Sequence, residues 1–398
     1  MSKAIVFCAD GTWNGPGEPD DDNTAAPPTN VFKLFLNLAG TDQPGTMLLA
    51  KEQERRLHGW DGVVQQTAKY LHGVGDSSNF LVQVLGGGIG AGLIARIVRG
   101  YTFISREYVP GDRIYIIGFS RGAYTARALA GMIAAKGLLD ATNNVLSDKN
   151  NAYRLGSAVW YAHRQALAQS QSGWLTKLAN LAIDLPAFLQ QSVSDSQLIK
   201  AEIEAVAVWD TVGALGIPDY TRQDTRLDVF QFADRVLSPV VRHGVHAVAV
   251  DERRADFTPT LWDADPRILQ VLFPGCHSDV GGGFVGPGVE SGLSDCTLKW
   301  MIDRLSQLGV TFLDPLFYLP QPNDRATAHA TWLSGLWRYL PQGPRAFPPR
   351  LYLSKEVVDR AGAGPVVPDP DLAAQPYAPG NLPDYLVAGM PTEGATVV

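Results

Sequence analysis

The sequence predicts an α/β fold: a mainly parallel sheet with helices on both faces, plus a helical insertion and an irregular C-terminal region. Three observations carry this. Short apolar runs at Ala4, Ile114, Ile203, Val245 and Ile268 are separated largely by helix-like segments, an alternation that suits a parallel sheet. The runs are mainly apolar rather than alternating, as strands covered on both faces need to be. Several stop in polar or glycine-bearing turns, which an open α/β sheet places at its carboxyl edge, where ligands bind.

Composition narrows the function. Of 398 residues, 45% are hydrophobic, enough for a full core in one large domain or up to three average ones. The net charge of -7 argues against a nucleic-acid partner, which calls for a concentrated basic patch. Cys8, Cys276 and Cys296 form no CxxC pair and suit a reducing compartment. The N-terminal apolar run is too short for a signal peptide. No stretch reaches the roughly 18 apolar residues of a spanning helix. The expectation is a chain cytoplasmic as synthesised, exported, if at all, by a non-Sec route.

In chain order, Ala4–Cys8 reads as a strand ending at Asp10-Gly11-Thr12. Gly15–Pro28 reads as a loop, and Asn30–Leu38 as a helix capped by Asn30. Gln53–Thr67 is polar with little periodicity, and Lys69–Val74 resembles a short strand ending in Gly73-Val74-Gly75-Asp76. Leu85–Gly92, LGGGIGAG, fits neither the dinucleotide-binding spacing nor a Walker A loop; it leads into a helix over Leu93–Tyr108. Leu139–Ala201 is a helical insertion. Its Ser172–Gln191 segment, rich in Trp and Leu with few charges, suits a lid, a contact with a membrane surface or a helix docked on the body. Ser294–Leu308 reads as a helix. Pro344–Leu353 suits a last strand or arm, and Ala361–Val398, rich in Pro, Gly and Ala, suits loops or a mobile tail.

The chemistry centres on Ile114–Gly131. The run Ile114–Ile117 leads into Gly118-Phe119-Ser120-Arg121-Gly122 and then an alanine-rich helix. Strand, sharp Gly-x-Ser-x-Gly turn and helix is the setting of a nucleophile elbow, which lifts the Ser120 hydroxyl above the sheet edge at a helix N-terminus. A Gly-Ser turn without chemistry is the alternative. Two further strands deliver Asp210 and His277. The order Ser, Asp, His is that of the α/β-hydrolases. Ser120 would attack an acyl carbonyl, His277 would carry the proton, and Asp210 would orient the imidazole. The backbone N–H groups of Arg121 and of Gly11 or Thr12 would hold the oxyanion, although the Asp10-Gly11 piece by itself reads more simply as a plain turn. Asp210 also suits a helix cap. His243, His246 and His329 compete with His277, although His246 alternates with apolar residues like a core histidine. Asp10 and Asp279 are support carboxylates, or oxygen ligands for a cation such as calcium; the chemistry itself requires no cofactor.

Four segments carry a resemblance: FCADGTWN from Phe7, GFSRGAYTAR from Gly118, VWDTVG from Val208 and FPGCHSDVGGG from Phe273. With Asp251-Glu252-Arg253-Arg254, they resemble an α/β-hydrolase family, formerly of unknown function, that includes phospholipase effectors of the bacterial type VI secretion system. The resemblance spans Lys3 to Leu308. It implies a serine hydrolase of carboxylic esters, a phospholipase A-type lipase, with the family's serine, aspartate and histidine on Ser120, Asp210 and His277. It also implies a secretion apparatus or an immunity protein as partners. His72 stands where the family often has an acidic or aromatic residue. An esterase for other acyl esters and a non-catalytic binding module on a hydrolase shell are the competing readings. The expected division is a catalytic domain over 1–312, with the insertion at 139–201, and an extension over 313–398.

Overall fold

The computed structural model describes residues 2–11, 28–44, 52–72, 89–170, 193–213, 235–284, 291–348 and 351–382. Thr12, the Gly73-Val74-Gly75-Asp76 turn, the glycines at 86–88 and the 172–191 segment lie outside them.

One nine-stranded sheet organises these residues. Its strands are β1 (Ala4–Ala9), β2 (Thr41–Asp42), β3 (Glu52–His58), β4 (Val64–Leu71), β5 (Arg113–Phe119), β6 (Ile203–Trp209), β7 (Val241–Ala249), β8 (Ile268–Phe273) and β9 (Tyr352–Leu353). The spatial order is β9-β8-β7-β6-β5-β1-β4-β3-β2. All neighbours from β9 to β4 pair in parallel; only the β4–β3 and β3–β2 pairs are antiparallel, so β3 alone runs against the rest. This is an α/β-hydrolase-like architecture.

The apolar strands are explained by burial on both faces. Ile5, Phe7, Ile114 and Ile116 face one cluster with residues of helices α2 (Ile89–Glu107), α3 (Arg121–Lys136) and α4 (Lys149–Ser170). Val6, Cys8, Tyr115 and Ile117 face the other, with α1 (Asn30–Asn37) and, past the short α5 (His277–Gly281), α6 (Gly292–Gln307). Each fully buried Ile or Phe contributes about 1.5–3 kcal/mol, so the central strands are the most costly part of the sheet to disturb.

Several boundaries differ from the sequence reading. Gln53–Thr67, read as irregular, holds the β3–β4 hairpin. Its inward Glu52 and Glu54 are met by Lys69, Arg99 and Arg106, so a charged network replaces the apolar face that periodicity would have revealed. Helix α1 is capped by Thr29, whose Oγ1 accepts from Phe32 N. Asn30 instead donates to Val280 O, Ser294 O and Thr297 Oγ1, fastening α1 to α6. Past 361 the described residues run mostly as exposed loops, as the composition suggests, with one short antiparallel pair between Pro365–Val366 and Gln375–Pro376; Leu382 joins Val248, Leu272 and Val357 of α7 (Lys355–Gly362) in a small core. The cysteines are free and buried. Among the described residues no helix is long and apolar enough to cross a membrane.

Candidate active site

Three residues stand one step beyond their strands and extend the ladder at its carboxyl edge. Asp10 N donates to Leu71 O at 2.9 Å, Ser120 N to Trp209 O at 3.1 Å and Asp210 N to Ala247 O at 2.8 Å. Parallel pairing thus sets the ends of β1, β5 and β6 side by side.

Ser120 and Asp210 are the non-glycine residues with positive φ among the described residues, at 56° and 34°. Such backbone costs on the order of 1–3 kcal/mol per residue and persists only where the surroundings enforce it. At Ser120 the enforcement is visible. A Cβ on Gly118 would lie 2.4 Å from Gly122 O, and one on Gly122 would lie 2.1 Å from Ala9 O and 2.4 Å from Asp10 O. Both glycines of the motif are therefore needed for the turn and for its contact with the end of β1. Ser120 is the N-cap residue of α3 and makes no side-chain capping bond.

His277 begins α5 after β8. Its Nδ1 lies 2.5 Å from Asp210 Oδ2. Phe119 packs against its ring with centroids 4.5 Å apart, and Phe257 meets it edge-on at 4.9 Å. Because Phe119 precedes Ser120, the elbow and the imidazole share one wall. The turn carrying His277 is fastened by the Asp251–Arg254 stretch. Asp251 Oδ2 accepts from Gly275 N at 2.6 Å, and Glu252 Oε2 from His277 N at 3.2 Å. Glu252 is fully buried and paired to Arg254. These residues hold the loop in which the imidazole sits.

Arg345, which no motif or periodicity marks, completes the cluster. Its Nη1 donates to Asp210 Oδ1 at 2.7 Å and its Nη2 to Asp210 Oδ2 at 2.8 Å. It is anchored further by Ala249 O and Phe257 O. Asp210 Oδ1 also accepts from Ala249 N. Burial alone would raise the Asp210 pKa, but the Arg345 charge and the His277 bond hold it far below the carboxylate range. Burial lowers the His277 pKa, and Asp210 opposes this only in part. A neutral imidazole beside an ionised carboxylate can accept a proton.

The competing histidines have other tasks. His246 Nε2 accepts from Thr211 N and its Nδ1 faces Gln270 Oε1. Burial lowers its pKa to about 3, which leaves it a neutral bracket between strands. His243 sits at the surface near Glu204. His329 Nδ1 pairs with Asp279 Oδ1 at 2.6 Å.

Two expectations are corrected. Gly11 N–H is not free for an oxyanion, because it donates to Asp10 Oδ1 at 2.7 Å. The buried Asp10 carboxylate, its pKa raised to about 6 chiefly by desolvation, gathers donors from Thr29 and Tyr70 as well. Nor do Asp10 and Asp279 form a cation site. Both oxygens of Asp10 are taken, and those of Asp279 accept from Cys276 N, His329 N and His329 Nδ1. Among the described residues no group of three or more His, Cys, Asp or Glu could hold a metal. Arg121 opens α3, directly after Ser120.

Comparisons with known proteins bear on this geometry. The model of a family described as "T6SS, Phospholipase effector Tle1-like, catalytic domain" matches residues 3–304. A Saccharomyces cerevisiae protein described as "Uncharacterized protein YEL023C" is 27% identical over 270 residues, 68% of this chain and 34% of its own length. The chain thus spans about a third of that relative. Among solved structures, an uncharacterized protein from Pseudomonas aeruginosa aligns with a TM-score of 0.39 at 17% identity, over 78% of this chain and 46% of that one. A Tle1 effector bound to the VgrG spike of the type 6 secretion system aligns with a TM-score of 0.44 at 14% identity, over 87% and 82%.

Proposed function

The chain belongs to the family of Tle1-like phospholipase effector catalytic domains, hydrolases of the phospholipase and esterase type, and we propose that it is a serine-dependent phospholipase A. The observation that carries this reading is the His277–Asp210 contact at 2.5 Å, at the same sheet edge as a serine held at φ 56°.

The mechanism follows from these positions. Ser120 Oγ attacks the acyl carbonyl of a glycerophospholipid while His277 Nε2 takes its proton. Asp210, bonded to Nδ1, fixes the tautomer and stabilises the imidazolium. Negative charge develops on the carbonyl oxygen beside Arg121 N–H, where the N-terminal dipole of α3 also favours it. One such donor is worth about 10²–10³ in rate. The imidazolium then protonates the departing lysophospholipid alkoxide, and water, activated by the same imidazole, releases the fatty acid and restores Ser120.

Release of fatty acid from phospholipid vesicles by the wild type and Ser120→Ala tests the reading. The variant should keep its circular dichroism and lose about 10⁴-fold or more in kcat. Undiminished hydrolysis would remove Ser120 from the mechanism. The identity of the lysophospholipid product fixes which acyl position is cut. Family membership extends the proposal to delivery by a type VI apparatus, tested by co-purification with the spike protein of the source cell.

A further inference from the structure

Two arginines, one on the elbow and one beside it, make no ion pair among the described residues. Arg96, on α2, is 5% exposed. Its Nη2 donates to Asp10 O, while Nε and Nη1 are buried without any partner. Arg121 follows Ser120 directly and opens α3; among the described residues its guanidinium has no ion pair. Burial lowers the Arg96 pKa to about 10, with smaller effects in the same direction from the charges of Arg121 and Arg99 and opposing ones from Asp10 and Tyr70. Asp10 is the carboxylate whose charge reaches Arg96, but its oxygens are already bonded to Thr29, Tyr70 and Gly11. The Asp10 carbonyl that anchors Arg96 is the one that Gly122 packs against, so this charge sits two residues from the nucleophile.

Buried cations without a partner are costly, and proteins keep them where a ligand supplies the missing charge. The planar guanidinium fork matches phosphate oxygens in pairs. In a glycerophospholipid the phosphodiester lies only a few bonds from the acyl esters. A carbonyl seated on Ser120 therefore keeps its phosphate within a few bonds of the elbow, which Arg121 continues and whose Gly122 packs on the Asp10 carbonyl that Arg96 holds.

We propose that Arg121 and Arg96 form the subsite for the phosphodiester of the substrate headgroup, so that glycerophospholipids are preferred over uncharged glycerides. This rests on the Ser120 reading above. The test compares kcat/KM for phosphatidylglycerol and for diacylglycerol with the same acyl chains, in neutral detergent micelles, for wild type, Arg121→Gln, Arg121→Lys and Arg96→Met. The phospholipid-to-diacylglycerol ratio should fall roughly 10–100-fold in Arg121→Gln, the range for losing a charge-assisted hydrogen bond, and recover in part in Arg121→Lys. A ratio within twofold of wild type in both Arg121→Gln and a folded Arg96→Met would overturn the subsite. Inorganic phosphate is the second probe, as an inhibitor of diacylglycerol hydrolysis. Inhibition of the wild type together with an unchanged lipid ratio in the variants would assign the site to a free anion and overturn the headgroup proposal. Failure of the wild type to cleave either lipid would count instead against the phospholipase reading.

Discussion

The described residues contain two histidine–aspartate pairs of almost equal length, and the two differ in their surroundings. His277 Nδ1 meets Asp210 Oδ2 at 2.5 Å, and His329 Nδ1 meets Asp279 Oδ1 at 2.6 Å. Asp279 is only two residues from His277, so the pairs share one turn of chain. Asp210 ends a central strand beside the elbow, and Arg345 grips both of its oxygens. Asp279 spends its remaining capacity on backbone N–H groups of Cys276 and His329. His329 is stacked on Phe284, with centroids 3.6 Å apart. It lines a cavity of about 480 Å³ with Asp251, Arg360 and Tyr377, a cavity that Ser120, Asp210 and His277 do not line. A short His–carboxylate bond is thus no signature of catalysis. The difference lies in whether the pair sits at the sheet edge beside a nucleophile or fastens a loop to the C-terminal region.

Substitution should separate the pairs sharply. Asp210→Asn or His277→Ala should lower kcat on phospholipid by about 10³–10⁴, the scale for losing the orienting carboxylate or the base. Asp279→Asn or His329→Gln should lower it less than tenfold and appear instead as a stability loss of about 1–3 kcal/mol in urea unfolding. Equal kinetic losses at both pairs would erase the distinction.

Arg345 sharpens the comparison. Arg345→Met strands a buried carboxylate, so unfolding free energy should fall by about 3–5 kcal/mol. The Asp210 charge would then act on His277 without the guanidinium that neutralises it, and would raise the imidazole pKa against burial and Arg254. Because the neutral imidazole is the working base, activity is lost as pH falls through that pKa. The wild-type midpoint should lie below the ordinary histidine value of about 6.5, since burial lowers the His277 pKa. In Arg345→Met the midpoint should move upward, and an unmoved acid limb would deny Arg345 any influence on the imidazole. The stability effect runs in the same direction but at lower pH. Asp210 has a folded pKa below its unfolded one, so its contribution is full above about pH 4 and is lost as pH falls further. The smallest effect belongs to His243, at the surface. His243→Gln should change stability by no more than about 0.5 kcal/mol.

The same contrast explains what could be read from the sequence. The strands β1, β5, β6, β7 and β8 were legible because burial on both faces demands mainly apolar runs. The turns at Ser120 and His277 were legible because glycine and polar residues cluster where the chain must bend beside a ligand. Arg345 was not, because a buried cation reached from a proline-rich arm has no period and no motif. It also lies beyond the 3–304 span that matches the family model. Strand β3 was hidden because lysine and arginine, rather than apolar packing, satisfy its inward glutamates. At Gly11 the sequence allows both an oxyanion loop and a plain Asp-Gly turn, and the bond from its N–H to the adjacent Asp10 fits the turn.

The central claim is that Ser120 is a nucleophile activated through His277. It is tested most directly by treating the native protein with a serine-reactive fluorophosphonate and mapping the adduct by peptide mass spectrometry. The account predicts one adduct, on Ser120, slowed at least a hundredfold in His277→Ala, within the range for general-base assistance of about 10²–10⁴. Folded protein that cleaves phospholipid while Ser120 stays unmodified would contradict it.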